Sequence, residues 1–333
     1  MYHNGVVPVR LSVLDQSPVP QGQTIGDALR NTIDLARLTD QLGYERYWLA
    51  EHHGAASLAC ASPEVLIGPV AAATRHLRVG SGGVMLPHYS ALKVAESFSM
   101  LAGLYPNRID LGIGRAAGTS ARIAHALQRD KRQPPPDDFP QQLAELMEYF
   151  SNQHPLLPGH FVSPEVWLLG SSGQSAEWAG ERGLPYTFAD FINPEGAACA
   201  SYYRHCFAAS AAHPQPRTAV AVSVICAETD AEAMRLSASL RMMLLMLFRG
   251  RTVPVPPVEV AEEFLRGEGL PFELLPTGRR FIIGSPSTVR RGIENVAAEY
   301  GAEDVFLVTN VFDHAVRRRS YELVAAEFGL AAR

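Results

Sequence analysis

Short apolar runs alternate along this chain with longer stretches whose apolar residues recur every three or four positions. The runs predict strands at 11–15, 47–50, 77–83, 109–114, 166–170, 185–189, 218–227 and 304–309. The periodic stretches predict helices at 24–42, 63–75, 91–104, 140–150 and 230–247. Others begin near Gly173 and at Ser285-Pro286, and a last one closes the chain. Local signals agree with this division. Thr24 and Asp27 form a capping box ahead of Ile25, Ala28, Leu29, Ile33 and Ala36, which share one helical face, and Gly43 supplies a left-handed stop. Two stretches break the rhythm and read as irregular excursions after the fourth and seventh strands. They are 119–140, with Pro134-Pro135-Pro136, and 249–280, with Pro254, Pro256 and Pro257.

Eight short apolar strands, nearly all alternating with helices, predict an α/β fold: one (β/α)8 TIM barrel spanning 1–333. A chain of 333 residues would by length alone suggest two domains, but barrels of this kind reach that size as one. In such barrels the chemistry lies at the C-terminal ends of the strands, and the candidate residues are sought there.

Composition narrows the function. The net charge of −5, with no basic stripe, gives nucleic acid nothing to bind. The longest apolar run, 242–248, falls well short of the roughly 20 residues a bilayer span needs. Residues 1–10 lack the basic-then-apolar pattern of a signal peptide. Cys60, Cys199, Cys206 and Cys226 show no CxxC spacing and read as inert thiols. The expectation is a soluble, cytoplasmic protein with no membrane partner.

Four features sit at strand ends. Glu51-His52-His53 follows the second strand; one histidine is expected to look into the barrel mouth, where a near-neutral pKa suits proton transfer. A metal is not expected, because ligands on one face would prefer HxH spacing. Gly80-Ser81-Gly82-Gly83 ends the third strand and would let a flat ligand approach the main chain; a bulge alone is the alternative. Gly112-Ile113-Gly114-Arg115-Ala116-Ala117-Gly118 matches GxGxxA but opens no βαβ unit, so a Rossmann site is rejected and Arg115 reads as an anion contact or a surface ion pair. Gly170-Ser171-Ser172-Gly173-Gln174-Ser175 turns a strand into a helix. Its free N–H groups and hydroxyls would cradle a phosphate, although helix capping also accounts for the serines. Together these suggest a flat, phosphorylated cofactor.

The same residues carry a resemblance. WLAEHH at 48–53, RVGSGGVMLPHYSALKVAE at 78–96, NRIDLGIGRAAG at 107–118, WLLGSSGQSAEWAGERGLPYTFA at 167–189, FIIGSPSTV at 281–289 and DVFLVTN at 304–310 resemble the bacterial-luciferase-like flavin-dependent monooxygenases. The resemblance spans nearly the whole chain. It implies a homodimeric (β/α)8 barrel that takes reduced FMN from a separate NAD(P)H:flavin reductase. O2 adds to that flavin as a 4a-hydroperoxide, which hydroxylates or epoxidises a small organic substrate such as a natural-product intermediate.

By motif, His52 resembles the catalytic histidine and His53 its structural neighbour. Gly82 and Gly83 resemble the pair whose strained peptide, able to be cis, lies along the flavin. Arg115 resembles the phosphate-binding arginine, while Ser171, Ser172, Gly173 and Ser175 occupy the phosphate-loop positions. Gly114 stands where light-emitting members have a cysteine, which implies a stand-alone, non-bioluminescent oxygenase. Residues 249–280 correspond to the family's active-site lid, and Val13 and Tyr105 are candidates for the substrate wall. Two alternatives remain open: deazaflavin-dependent hydride transfer on the same barrel, and a non-catalytic flavin-binding protein.

Overall fold

The computed structural model describes residues 9–115, 120–128, 131–132, 137–269 and 279–333. Its first half runs β1 (Arg10–Asp15), α1 (Ile25–Gln41), β2 (Arg46–Leu49), α2 (Pro63–Ala73), β3 (Arg78–Met85), α3 (Ala91–Leu104) and β4 (Ile109–Gly114). Then come α4 (Ala121–Leu127), α5 (Phe139–Phe150), β5 (Glu165–Gly170), α6 (Gly173–Glu181), β6 (Tyr186–Ala189), α7 (Ala197–His205) and β7 (Thr218–Cys226). The rest is α8 (Asp230–Leu236), α9 (Ala238–Phe248), α10 (Val258–Gly267), β8 (Phe281–Gly284), α11 (Pro286–Tyr300), β9 (Asp304–Val308) and α12 (His314–Phe328).

Eight parallel strands close into a barrel in the order β1-β2-β3-β4-β5-β6-β7-β9, with β9 returning to β1. The expected (β/α)8 architecture is therefore present. One strand was not expected: β8 pairs Phe281–Gly284 with Ser223–Cys226, the part of β7 beyond the residues that β6 uses. It lies outside the closed ring, and its four residues are too few to separate from the adjoining helix start by periodicity.

The two excursions contain helices, α4 and α10, and a further helix, α7, precedes β7. The Pro134–Pro136 cluster and residues 270–278 lie outside the described residues. The helix expected over 230–247 is two, α8 and α9, meeting at Ser237. There the Ser237 hydroxyl donates to the Met234 carbonyl at 2.6 Å, a local bond that competes with the helix ladder.

Alternation along each strand sorts the core into two layers. Leu14, Trp48, Trp167, Ala221 and Phe306 fill the barrel interior, where Trp48 stacks on Phe306 with ring centroids 4.1 Å apart. Val13, Tyr47, Val79 and Leu111 face the helices instead. Each such large apolar side chain contributes roughly 1.5–3 kcal/mol on burial.

The N-terminal end of the barrel is closed by charge. Asp110 accepts from Arg46 at 3.1 Å, Arg78 at 2.8 Å and the Trp48 indole at 2.9 Å. Glu165 pairs with Arg217 and with Arg78, and Asp304 with Arg10 at 2.8 Å. Arg46 and Arg217 also sit over the Trp167 ring, at 5.2 and 4.7 Å. These described residues plug the N-terminal end, and a ligand is to be sought at the C-terminal end of the strands.

Candidate active site

A cavity of about 280 Å³ opens at the C-terminal ends of the barrel strands. It brings together His52, Gly82, Gly83, Arg115, Ser171, Ser172 and Ser175, the site residues expected from four separate strand ends. Gly173 stands beside them as the first residue of α6.

His52 follows β2, and its ring lines the cavity while Nδ1 is buried with no hydrogen-bond partner. Burial, with a smaller contribution from the neighbouring His53, holds its pKa down at about 4, so the ring is neutral at physiological pH. His53 turns away and lies 2.7 Å from the Glu51 carboxylate through Nε2. The sequence left open which histidine looks inward; the structure turns His52 into the cavity and ties His53 to Glu51. Glu51, which the motif reading gave no role, is fully buried. It also accepts from the Met85 amide and the Tyr89 hydroxyl, each at 2.9 Å. One carboxylate thus ties the histidine loop to the end of β3.

The β3 wall is bare backbone. The Gly82–Gly83 peptide is cis. A side chain at Gly82 would strike Leu14 Cδ1 at 2.4 Å, and one at Gly83 would meet the Gly112 carbonyl oxygen at 2.8 Å. Only glycine fits here, and its absence of side chain leaves a flat surface facing the cavity.

On the opposite flank α6 begins. Ser172 caps the helix by accepting from the Ser175 amide at 3.4 Å. The Ser175 hydroxyl is already engaged, donating to the Ser172 carbonyl at 2.8 Å and lying 2.9 Å from the Tyr186 hydroxyl. Gly173 has nothing within 4 Å of where a Cβ would stand, and Gly173 and Gln174, as the first residues of the helix, have no helical carbonyl a turn earlier to take their N–H groups. Arg115, exposed at the end of β4, rests with its guanidinium carbon 5.3 Å over the ring of Trp178 on α6.

Two expectations fail. Val13 faces the helix layer, because alternation on β1 sends Leu14, not Val13, inward. Tyr105 caps α3 outside the barrel and donates to the Gly68 carbonyl at 3.2 Å. The wall is instead built by Leu14, Trp48, Phe191, Ile192 and Phe306, with Gln16 and Thr187 as its polar members. Strand parity would have found Leu14 and Trp48; Phe191 and Ile192 come from an irregular loop and carry no such signal. No described residue of the 249–269 segment lines the cavity. That segment is laced to the β1–α1 loop by Val255, which donates to Val19 and accepts from Gln21, both at 2.8 Å.

A bare glycine wall, an uncovered helix N-terminus beside an arginine and an unpartnered imidazole nitrogen fit a flat cofactor with a phosphate tail. Among the described residues no cluster of three or more His, Cys, Asp or Glu could hold a metal, and no helix is long and apolar enough to cross a membrane.

Comparison with known proteins identifies the family. The family model described as luciferase-like monooxygenase matches residues 9–304. The chain belongs to that family. It is 38% identical to a luciferase-like monooxygenase of Escherichia coli K12, covering 95% of this chain and 96% of the relative. It is 35% identical to the N-acetyl-S-alkylcysteine monooxygenase of Bacillus subtilis, covering 95% and 97%. Among solved structures, apo-MsnO8 superposes with a TM-score of 0.89 at 41% identity, over 98% of this chain and all of that one. The oxygenating constituent of a 3,6-diketocamphane monooxygenase from Pseudomonas putida, solved with FMN, shares the fold at 21% identity with a TM-score of 0.74, over 98% of this chain and 99% of that one. This luciferase-like protein is an oxidoreductase of a flavin-dependent monooxygenase family.

Proposed function

We propose that the chain is the stand-alone oxygenase of a two-component system, acting as a homodimer. It receives reduced FMN from a separate NAD(P)H:flavin reductase and inserts one atom of O2 into a small, mainly apolar organic substrate. The observation that carries this reading is His52 Nδ1, buried and unpartnered in the same cavity as the glycine wall and the α6 N-terminus. A non-catalytic flavin binder would have no use for it. A thioether is the substrate class to test first, because the Bacillus subtilis relative is named for S-alkylcysteines.

In this reading the first-turn N–H groups at Gly173 and Gln174, with the Ser171 and Ser172 hydroxyls, hold the FMN phosphate. Arg115 supplies the balancing cation from across the gap. Ser175, already bonded to Tyr186, fixes the turn from behind. Gly82 and Gly83 give the isoalloxazine a backbone surface to lie on. Bound reduced FMN supplies the two electrons with which one oxygen atom enters the substrate and the other leaves as water. His52, neutral because it is buried, accepts or returns a proton at Nδ1. Leu14, Trp48 and Phe306 keep bulk water from the reacting centre. The segment 249–280 acts as the lid, anchored through Val255.

The test is to mix the protein anaerobically with reduced FMN, add 18O2 and a thioether panel, and analyse products by mass spectrometry. One labelled oxygen per product, dependent on both protein and reduced FMN, supports the reading. Flavin reoxidation at the rate of free FMN with no labelled product rejects it.

A further inference from the structure

The turn after β1 is built more firmly than a simple connection needs. Asp15, fully buried, accepts from the Ser17 amide at 2.7 Å and from Arg317 at 2.6 Å. Ser17 adopts a φ of 50°, a left-handed conformation that costs a residue with a side chain about 1–3 kcal/mol. Its hydroxyl is held by Thr32 at 2.9 Å. The residue between these two fixed points is Gln16, 9% exposed, whose side chain lines the cavity.

Gln16 is itself held. Its Oε1 accepts from Asn310 Nδ2 at 2.6 Å, and Asn310, just beyond β9, is 6% exposed with Oδ1 buried and unpartnered. That bond uses the oxygen of Gln16 and leaves its amide N–H2 without a partner among the described residues. Strained backbone and a clamped, almost wholly buried amide are costly, and they persist where a site needs them.

Position says what the amide reads. Around the ring β1 lies four strands from β5 in either direction, so Gln16 stands across the barrel from the α6 phosphate cradle. It neighbours His52, at the end of β2, and the apolar Leu14, Trp48 and Phe306. The charged side chains of the lining are Glu51, which already serves Met85, Tyr89 and His53, and Arg115, beside the cradle. Among the described residues no other charged side chain lines the cavity, so the ligand that meets Gln16 is neutral there.

We infer that Gln16 is a substrate-specificity residue: its amide N–H2 donates to a carbonyl oxygen of a neutral, otherwise apolar substrate. Asn310 is its positioning residue. The substrate class is accordingly an amide, ester or ketone whose oxidisable group sits on the His52 side. The inference rests on the reading that the space beside His52 receives the substrate.

The probes are N-(2-benzylsulfanylethyl)acetamide and its carbonyl-free counterpart, benzyl 4-methylpentyl sulfide. Their dissociation constants are measured calorimetrically on the full chain with FMN, for the parent, Gln16→Met and Asn310→Leu. The ratio of the two constants cancels the general gain from apolar burial. Gln16→Met is expected to shift that ratio against the acetamide by roughly tenfold while FMN affinity holds. Asn310→Leu is expected to shift it in the same direction by less. An unchanged ratio overturns the inference, and so does a matching loss of FMN affinity, which would assign Gln16 to the flavin. Should Gln16→Met fail to fold, Asn310→Leu decides by the same two outcomes. Sulfoxide formation is followed separately: Gln16-dependent binding without any turnover would reject the oxygenase reading and leave this inference standing.

Discussion

His52 is neutral because it is buried, and that single physical fact sets its chemistry. With its pKa held down at about 4, the ring stays neutral throughout the neutral range. An NMR titration is expected to show no protonation of His52 near pH 6.5, where an exposed histidine changes state. The sign for stability follows: the folded pKa is below the unfolded one, so stabilisation is full above about pH 6.5 and is lost as pH falls toward 4. His52→Ala is expected to leave FMN affinity largely intact while cutting coupled product formation roughly 100-fold or more. Equal product per flavin oxidised in mutant and parent would remove His52 from the mechanism. The inward direction of this histidine was half legible, since alternation allows one of the two; only the Glu51–His53 contact shows which.

At the scale of elements, α6 shows how one turn can serve both folding and binding. Ser172 caps the helix, whereas the Ser171 side chain hydrogen-bonds to none of the described residues. Ser172→Ala is therefore expected to cost about 1 kcal/mol in urea unfolding and also to weaken FMN binding. Ser171→Ala is expected to weaken FMN binding with no measurable change in stability. If both variants bind FMN like the parent, the serines are caps and nothing more. The join between β1 and α12 makes a different prediction. Arg317 and Asp15 are both buried, and Arg317 with the Tyr47 and Ser17 hydrogen bonds outweighs burial, which alone would raise the Asp15 pKa, so the net shift is downward. Arg317→Met would leave that carboxylate buried and unpaired, at a cost of about 3–5 kcal/mol in urea unfolding. A cost under 1 kcal/mol would mean that water reaches Asp15.

The whole molecule is a barrel closed at one end by ion pairs and open at the other. Burial works to raise the Glu165 pKa, but Arg46, Arg217 and Arg78 outweigh it, and the net shift is downward. The stabilisation is therefore present above the unfolded value of 4.5 and is lost as pH falls through the folded value. Thermal unfolding followed against pH is expected to show a decline below about pH 4.5 that is shallower in Glu165→Gln than in the parent. Parallel declines would show that Glu165 does not report on closure of that end.

The sequence determined the eight strands of the ring and most of the helices between them, because period and capping chemistry are local, but it gave no sign of β8, α4, α7 or α10 and ran α8 and α9 together. It therefore determined the eight-stranded barrel, and the His52, Gly82, Gly83, Arg115 and serine candidates it singled out at the strand ends line one cavity. Glycine at 82 and 83, the serines of the α6 turn and the histidine pair could be read because each does something that few other residues do there. Tertiary structure alone decided what depends on closure. It put β8 outside the ring, turned Val13 outward and Leu14 inward, committed Ser175 to Tyr186, and set Gln16 against Asn310 across 294 positions of chain. Those outcomes rest on which distant segments become neighbours, and a local pattern carries no record of that.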